Sequence, residues 1–388
     1  MTQPLQGIKV LDFSTLLPGP LCTLLLAEAG AEVIKLERPA RGDEMRAYAP
    51  KVGDDSANFV LLNRGKQSIA LDLKAADAVA RLTPLIREAD VLVEQFRPGV
   101  MARLGLGYDA VAAINPRLIY CSITGYGQDG PYAQEAGHDL NYVASSGMLA
   151  MSAPAGQIPG LPPALIADVA GGAYPAMINI LLALRQRDVT QAGTHLDIAM
   201  AENLFTFQYW GLGNGWCGAW PAPAADLVNG GSPRYQVYQT ADGKHLAAAP
   251  IEAKFWSNFV TLIGLDETHL ATLTPQDVMT AVAHAIAARS ADEWVKRFAG
   301  QDVCTVKVVG LEDASRDLHF AARGVFARRI DTGAGKHMPA LPVPIVPAFR
   351  GADVARRAPG LGEHNDRLPA AGVTENTAGN TTGSASRS

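Results

Sequence analysis

Apolar residues in the first third of the chain fall in short runs separated by longer segments whose apolar positions recur at helical spacing. Residues 8–11 (IKVL), 31–36 (AEVIKL), 90–94 (DVLVE) and 118–122 (LIYCS) are rich in β-branched and aliphatic side chains and predict strands. Residues 21–29 and 75–88 predict helices between them. Strands alternating with helices of that length suit crossover units, so the pattern predicts an α/β fold with a mostly parallel sheet.

Past the middle the periodicity changes. From 168 to 187, Val169, Ala173, Met177, Ile180 and Leu184 recur about once per turn, and Gly171 and Gly172 allow close backbone approach. Asp168 stands just before that helix, where an aspartate ordinarily serves as N-cap. The run 174–184 (YPAMINILLAL) is short for a bilayer and contains Asn179, so a buried helix is expected and no membrane insertion. Tryptophans and glycines crowd 210–220, followed by PAPAAD and NGGSPRY, which reads as an irregular crossing into another module. Residues 235–240 and 245–249 predict a hairpin about Asp242-Gly243, and helices are expected over 253–265, 275–288 and 291–299. The expected organisation is a large α/β domain over 1–225, a small α+β domain over 226–325 and a return to the large domain over 326–370. A disordered tail is expected over 371–388, where the chain is polar and poor in apolar residues.

A chain of 388 residues, 48% hydrophobic and 18% charged, can bury a sizeable core. Its formal net charge of -5 and dispersed basic residues give nucleic acid nothing to bind. The four cysteines, Cys22, Cys121, Cys217 and Cys304, form no CxxC pair, and the opening MTQPLQG lacks an export pattern. A reduced, cytoplasmic setting is the expectation.

The turn after the first strand, STLLPGPLCTLL, has no GxGxxG, so the dinucleotide fingerprint is missing. Backbone N–H groups opening that helix could still face an anion. In EAGHDLNY, His138 and Asp139 are adjacent. Alone, such a pair is ordinarily a solvated turn at a helix start, but an imidazole beside a carboxylate can also move protons near neutral pH.

Several segments in order carry a resemblance: LQGIKVLDFS with PGPLCTLLLAEAGAEVIKLERP, LNRGKQSIALDLK, QFRPGVMARLGLG, NPRLIYCSITGYGQDGP, AGHDLNYVASSGML, PPALIADVAGG, IEAKFW and DLHFAARGVF. Together they resemble the family III CoA-transferase and racemase superfamily (CaiB/BaiF-like), and within it the α-methylacyl-CoA racemases. The resemblance implies a Rossmann-like large domain built from both ends of the chain, a smaller α+β domain between them, and an interlocked homodimer. It implies an acyl-CoA substrate, with CoA present only as part of that substrate and no redox or metal cofactor. Asp168 in LIADVAGG matches the aspartate that transferases use as nucleophile and racemases use as one acid/base. His138 matches the racemases' second acid/base, and Glu252 in IEAKFW the glutamate they place beside it, where many transferases carry a Gly/Asn-rich motif. The implied activity is racemisation of 2-methylacyl-CoA thioesters through an enolate; the alternative is CoA transfer between carboxylic acids with Asp168 as nucleophile. Asp139 is a further site candidate. Arg38, Arg64, Lys66 and Arg97 match segments the family uses around CoA, where arginine makes directed phosphate contacts. Met148, Leu149 and Met151 could supply an adaptable apolar wall for the acyl group.

Overall fold

The computed structural model describes residues 3–153, 156–333, 335–352 and 354–369. The strands expected from the early apolar runs form at β1 (Lys9–Asp12), β2 (Glu32–Glu37), β4 (Val91–Glu94) and β5 (Ile119–Thr124). Two further strands, β3 (Gln67–Ala70) and β6 (Thr194–Ala199), complete a six-stranded sheet. All its pairings are parallel, in the order β3-β2-β1-β4-β5-β6. This is the doubly wound order, which reverses between β1 and β4.

Alternation along each strand decides what each face buries. On one face Leu11, Ile34, Leu36, Ile69, Leu92 and Tyr120 pack with Leu82, Leu85 and Ile86 of helix α2 (Ala78–Glu88). Each fully buried aliphatic side chain there stabilises the fold by ~2 kcal/mol. Asp12 points to the other face and accepts a hydrogen bond from Thr23 of α1 (Pro18–Glu28), at 2.6 Å. With both faces covered, the central strands are buried throughout, as a parallel sheet requires.

Contacts divide the described residues into two units: those up to 135, 172–199 and from 328 onward form one, and those within 136–171 and 200–327 form the other. The expected boundaries at 225 and 325 were set by composition, whereas the chain already leaves the sheet unit at 136 and again at 200. The proline-rich crossing near 221 lies inside the second unit, because its neighbours are that unit's helices and hairpin. The return segment lines the edge of the sheet: His364 N–H donates to the Ser68 carbonyl at 2.9 Å, and Asn365 Oδ1 accepts from Ala70 N–H at 2.8 Å. The expected tail over 371–388 lies outside the described residues.

The second unit contains helix α3 (Asp139–Ser145) and an antiparallel sheet β9-β8-β7. Its strands are β7 (Gln236–Gln239), β8 (His245–Ala248) and β9 (Thr305–Lys307). Helices α5 (Ala253–Ile263), α6 (Pro275–Ala287) and α7 (Ala291–Phe298) bury Trp256, Phe259, Val282, Ile286 and Trp294 in its own core.

The long apolar helix begins as a π-helical turn over Ala167–Ala173 and continues as α4 (Tyr174–Thr190). Together they span 24 residues, long and apolar enough to cross a membrane by length and composition alone. In the sheet unit α4 packs on α1, β5 and β6 and buries Ala176, Ile180, Ala183 and Leu184. Arg187, near its end, pairs with Asp90 at 2.8 Å.

Candidate active site

The GHD segment owes its shape to Tyr142. The Tyr142 hydroxyl donates to the Gly137 carbonyl at 2.6 Å, and a Cβ on Gly137 would lie 2.7 Å from the Tyr142 ring. Only glycine fits before His138. Asn141 Oδ1 then accepts from the His138 N–H at 3.0 Å, which caps the first turn of α3. His138 is thereby left at the N-terminus of the helix with its imidazole exposed, and Asp139 turns inward and is buried.

Asp139 reaches the turn that carries Asp168. Its Oδ1 accepts the Asp168 backbone N–H at 2.9 Å, joining α3 to the π-helical turn. Asp168 is not the N-cap expected from its sequence position: it lies within the turn, half-buried. Burial first, and the Asp139 carboxylate second, push its carboxyl up to about 7. Asp168 is therefore a carboxyl that exchanges its proton near neutrality. Because the Asp168 N–H is taken by Asp139, it is not free to stabilise an anion in the site.

Glu252 is exposed at the start of α5, in the same unit as His138. The loop ahead of it is held by Arg234, which donates to the Ile251 carbonyl at 3.0 Å and lies over the Trp256 ring. Among the described residues neither the Glu252 carboxylate nor the His138 imidazole has an ion-pair partner. A cavity of about 990 Å³ in this unit is lined by Met148, Met151, Phe205, Phe207, Trp210 and Trp220, among others. Two of the three residues expected to form an apolar wall are there; Leu149 is not among the lining residues.

The four basic candidates belong to the sheet unit and differ sharply. Arg97 is exposed, its guanidinium with no hydrogen-bond or ion-pair partner among the described residues, and Arg38 is exposed and paired with Glu44. Arg64 and Lys66 are buried. The Arg64 guanidinium donates to Glu28 at 2.8 Å and to the Leu61 and Leu341 carbonyls at 2.7 and 2.9 Å. The Lys66 ammonium lies within 3.1 Å of Asp12, Pro20, Thr23 and Asn63 acceptors, and burial pulls its pKa down to about 8. A phosphate would have to displace all of these partners, so their place is in the scaffold. At the start of α1 the Gly19 N–H donates to Gln95 Oε1 at 3.1 Å, and its neighbours Pro18 and Pro20 have no N–H to offer.

The sequence pattern of CoA-transferase family III matches residues 5–365. The chain is 34% identical over 372 residues to alpha-methylacyl-CoA racemase of Homo sapiens, covering 94% of this chain and 92% of that protein. It is 30% identical over 376 residues to succinyl-CoA:glutarate CoA-transferase of Homo sapiens, covering 94% and 85%. Among solved structures, a CAIB/BAIF family protein from Brucella suis superposes with a TM-score of 0.78 at 30% identity, covering 94% of this chain and 98% of that one. A hypothetical protein from Mycobacterium tuberculosis superposes at 0.79 with 28% identity and the same coverage. With the match running through the parallel sheet, the GHD helix and the Asp168 turn, the chain belongs to CoA-transferase family III.

Proposed function

We propose that this enzyme racemises 2-methylacyl-CoA thioesters by removing the α-proton from one face and returning it to the other. The observation that carries the reading is the Asp168 carboxyl, pushed up to about 7 and tied through Asp139 to the helix that His138 opens. Removal of the α-proton puts charge on the thioester oxygen. A carboxyl that gains and loses a proton near neutrality serves either direction equally, and an imidazole is its natural complement. No metal or redox cofactor is needed for that exchange, and CoA enters only as part of the substrate. Arg97 and Arg38 are the exposed cations suited to the CoA phosphates. Glu252 supports His138, and the cavity beside Met148 and Met151 suits an aliphatic or aryl acyl group.

A homodimer suits the surface. Ile178, Leu182 and Val189 on α4, and Tyr209, Trp216 and Trp220 in the crossing, are exposed apolar side chains that a second copy can cover. The cytoplasm is the compartment we assign, with the four cysteines as free thiols.

The second reading is CoA transfer, with Asp168 as nucleophile; the similarity to succinyl-CoA:glutarate CoA-transferase favours it. A nucleophilic carboxylate works best fully ionised, and the elevated proton affinity of Asp168 argues the other way. Replacement of His138 or Asp168 by Ala is expected to abolish racemisation of a single 2-methylacyl-CoA enantiomer while CoA affinity is retained. Full racemisation by either folded variant would overturn the two-base assignment.

A further inference from the structure

The nine residues after β6, MAENLFTFQ (200–208), hold their backbone by burying Met200 and Leu204. Two polar side chains from this segment, each half-buried, reach other elements of the same unit. Asn203 Nδ2 donates to the Gly171 carbonyl at 2.8 Å, and Gln208 Nε2 donates to the Ser146 carbonyl at 3.0 Å. Gly171 lies in the π-helical turn that carries Asp168, and Ser146 ends the helix that His138 opens. The approach at Gly171 is close: a Cβ there would lie 2.4 Å from the Met200 carbonyl oxygen. A π turn is a rare geometry that persists only when its surroundings hold it, and such turns recur at functional sites.

We infer that Asn203 is a positioning residue for Asp168, fixing the π-helical turn through the Gly171 carbonyl, with Gln208 the matching tie on the helix of His138 and Asp139. Three hydrogen bonds then close a circuit: Asp139 to Asp168, Asn203 to Gly171 and Gln208 to Ser146. The first alone would let the turn pivot about one bond. The second and third fix its orientation, and proton transfer tolerates only a small misplacement of the carboxyl. Neither side chain is in the GHD or LIADVAGG segments, and both act through other residues. The inference rests on Asp168 being the acid/base of the proposed reaction.

The test is a ¹³C NMR titration of the Asp168 carboxyl in the full-length protein, with the resonance assigned by its loss in Asp168→Asn. Asp139 is the ionisable side chain that bears on Asp168 from the facing helix, and Glu202, on the same segment as Asn203, is exposed. In Asn203→Leu, of similar size but without the donor, the turn loosens and water reaches the carboxyl. The midpoint is expected to fall by about one pH unit. The kcat for α-proton exchange should fall on the order of 10- to 100-fold, with KM for the CoA thioester little changed. Asn203→Ala, which adds no bulk, reads the same loss should the leucine variant fail to fold. An unmoved Asp168 midpoint in a folded variant overturns the inference. If the wild type shows no α-exchange, the proposed reaction fails, while a midpoint that moves with Asn203 still upholds the positioning role.

Discussion

Asp139→Asn isolates the electrostatic half of the site while keeping its geometry. Asparagine retains an Oδ1 that can accept the Asp168 N–H, so the link between α3 and the π-helical turn survives and only the charge is lost. Asp168 stands at about 7 against an ordinary 3.8, and burial is the larger cause, with Asp139 second. That elevation is worth ~4 kcal/mol in all, at ~1.4 kcal/mol per pH unit. Less than half of it belongs to Asp139, which gives ~1.4 kcal/mol, or about one pH unit. The sign follows from repulsion: a neighbouring negative charge disfavours the second carboxylate, so removing it makes Asp168 a stronger acid. The pH profile of α-proton exchange at saturating substrate should therefore show the limb belonging to Asp168 moved down by about one unit. At pH 7 the protonated fraction of Asp168 should drop from roughly a half to roughly a tenth. A folded Asp139→Asn variant whose limb stays in place, or moves upward, would refute the coupling.

Asp168→Asn should stabilise the fold at pH 8 by ~1–2 kcal/mol, after discounting for partial exposure of the group. A raised carboxyl weakens the folded state progressively from pH 3.8 to about 7, so the difference in thermal melting between variant and wild type should shrink toward zero as pH falls through that window. Arg97→Ala should raise KM for the CoA thioester about 10-fold with an unchanged melt, whereas Arg64→Ala, which leaves the buried Glu28 with Arg328 alone and takes the donor from two carbonyls, should cost ~2 kcal/mol of stability. Chemical denaturation beside steady-state kinetics separates the two. Glu252→Gln should lower kcat with little change in KM; an unaltered kcat would leave that exposed carboxylate outside the reaction.

The elements legible in the sequence were those with continuous apolar runs. IKVL, AEVIKL, DVLVE and LIYCS all lie in strands buried on both faces. QSIA and THLDIA were missed because they form edge strands without a continuous apolar run: in β6 the exposed His195 and Asp197 alternate with Leu196 and Ile198. His138 and Asp168 could be named from their segments, but the bond from Asp139 to the Asp168 backbone could not, since it spans 29 positions. The π geometry also left no trace: DVAGG reads as a capped α-helix. Arg64 and Lys66 read as candidates for CoA because the carboxylates they pair with, Glu28 and Asp12, lie 36 and 54 positions away. Asn203 and Gln208 sit in a segment with no recognisable chemistry, and only the folded chain gives them partners.

The central claim is proton exchange at the α-carbon, and one measurement meets it directly. A single enantiomer of a 2-methylacyl-CoA is incubated with the wild-type enzyme in deuterated water without any acceptor acid, and the product is analysed by mass spectrometry and chiral chromatography. Deuterium entering the α-position together with loss of stereochemical purity is the expected result. CoA exchange that depends on an added carboxylic acid, with the α-hydrogen and the configuration retained, would contradict the account in favour of CoA transfer.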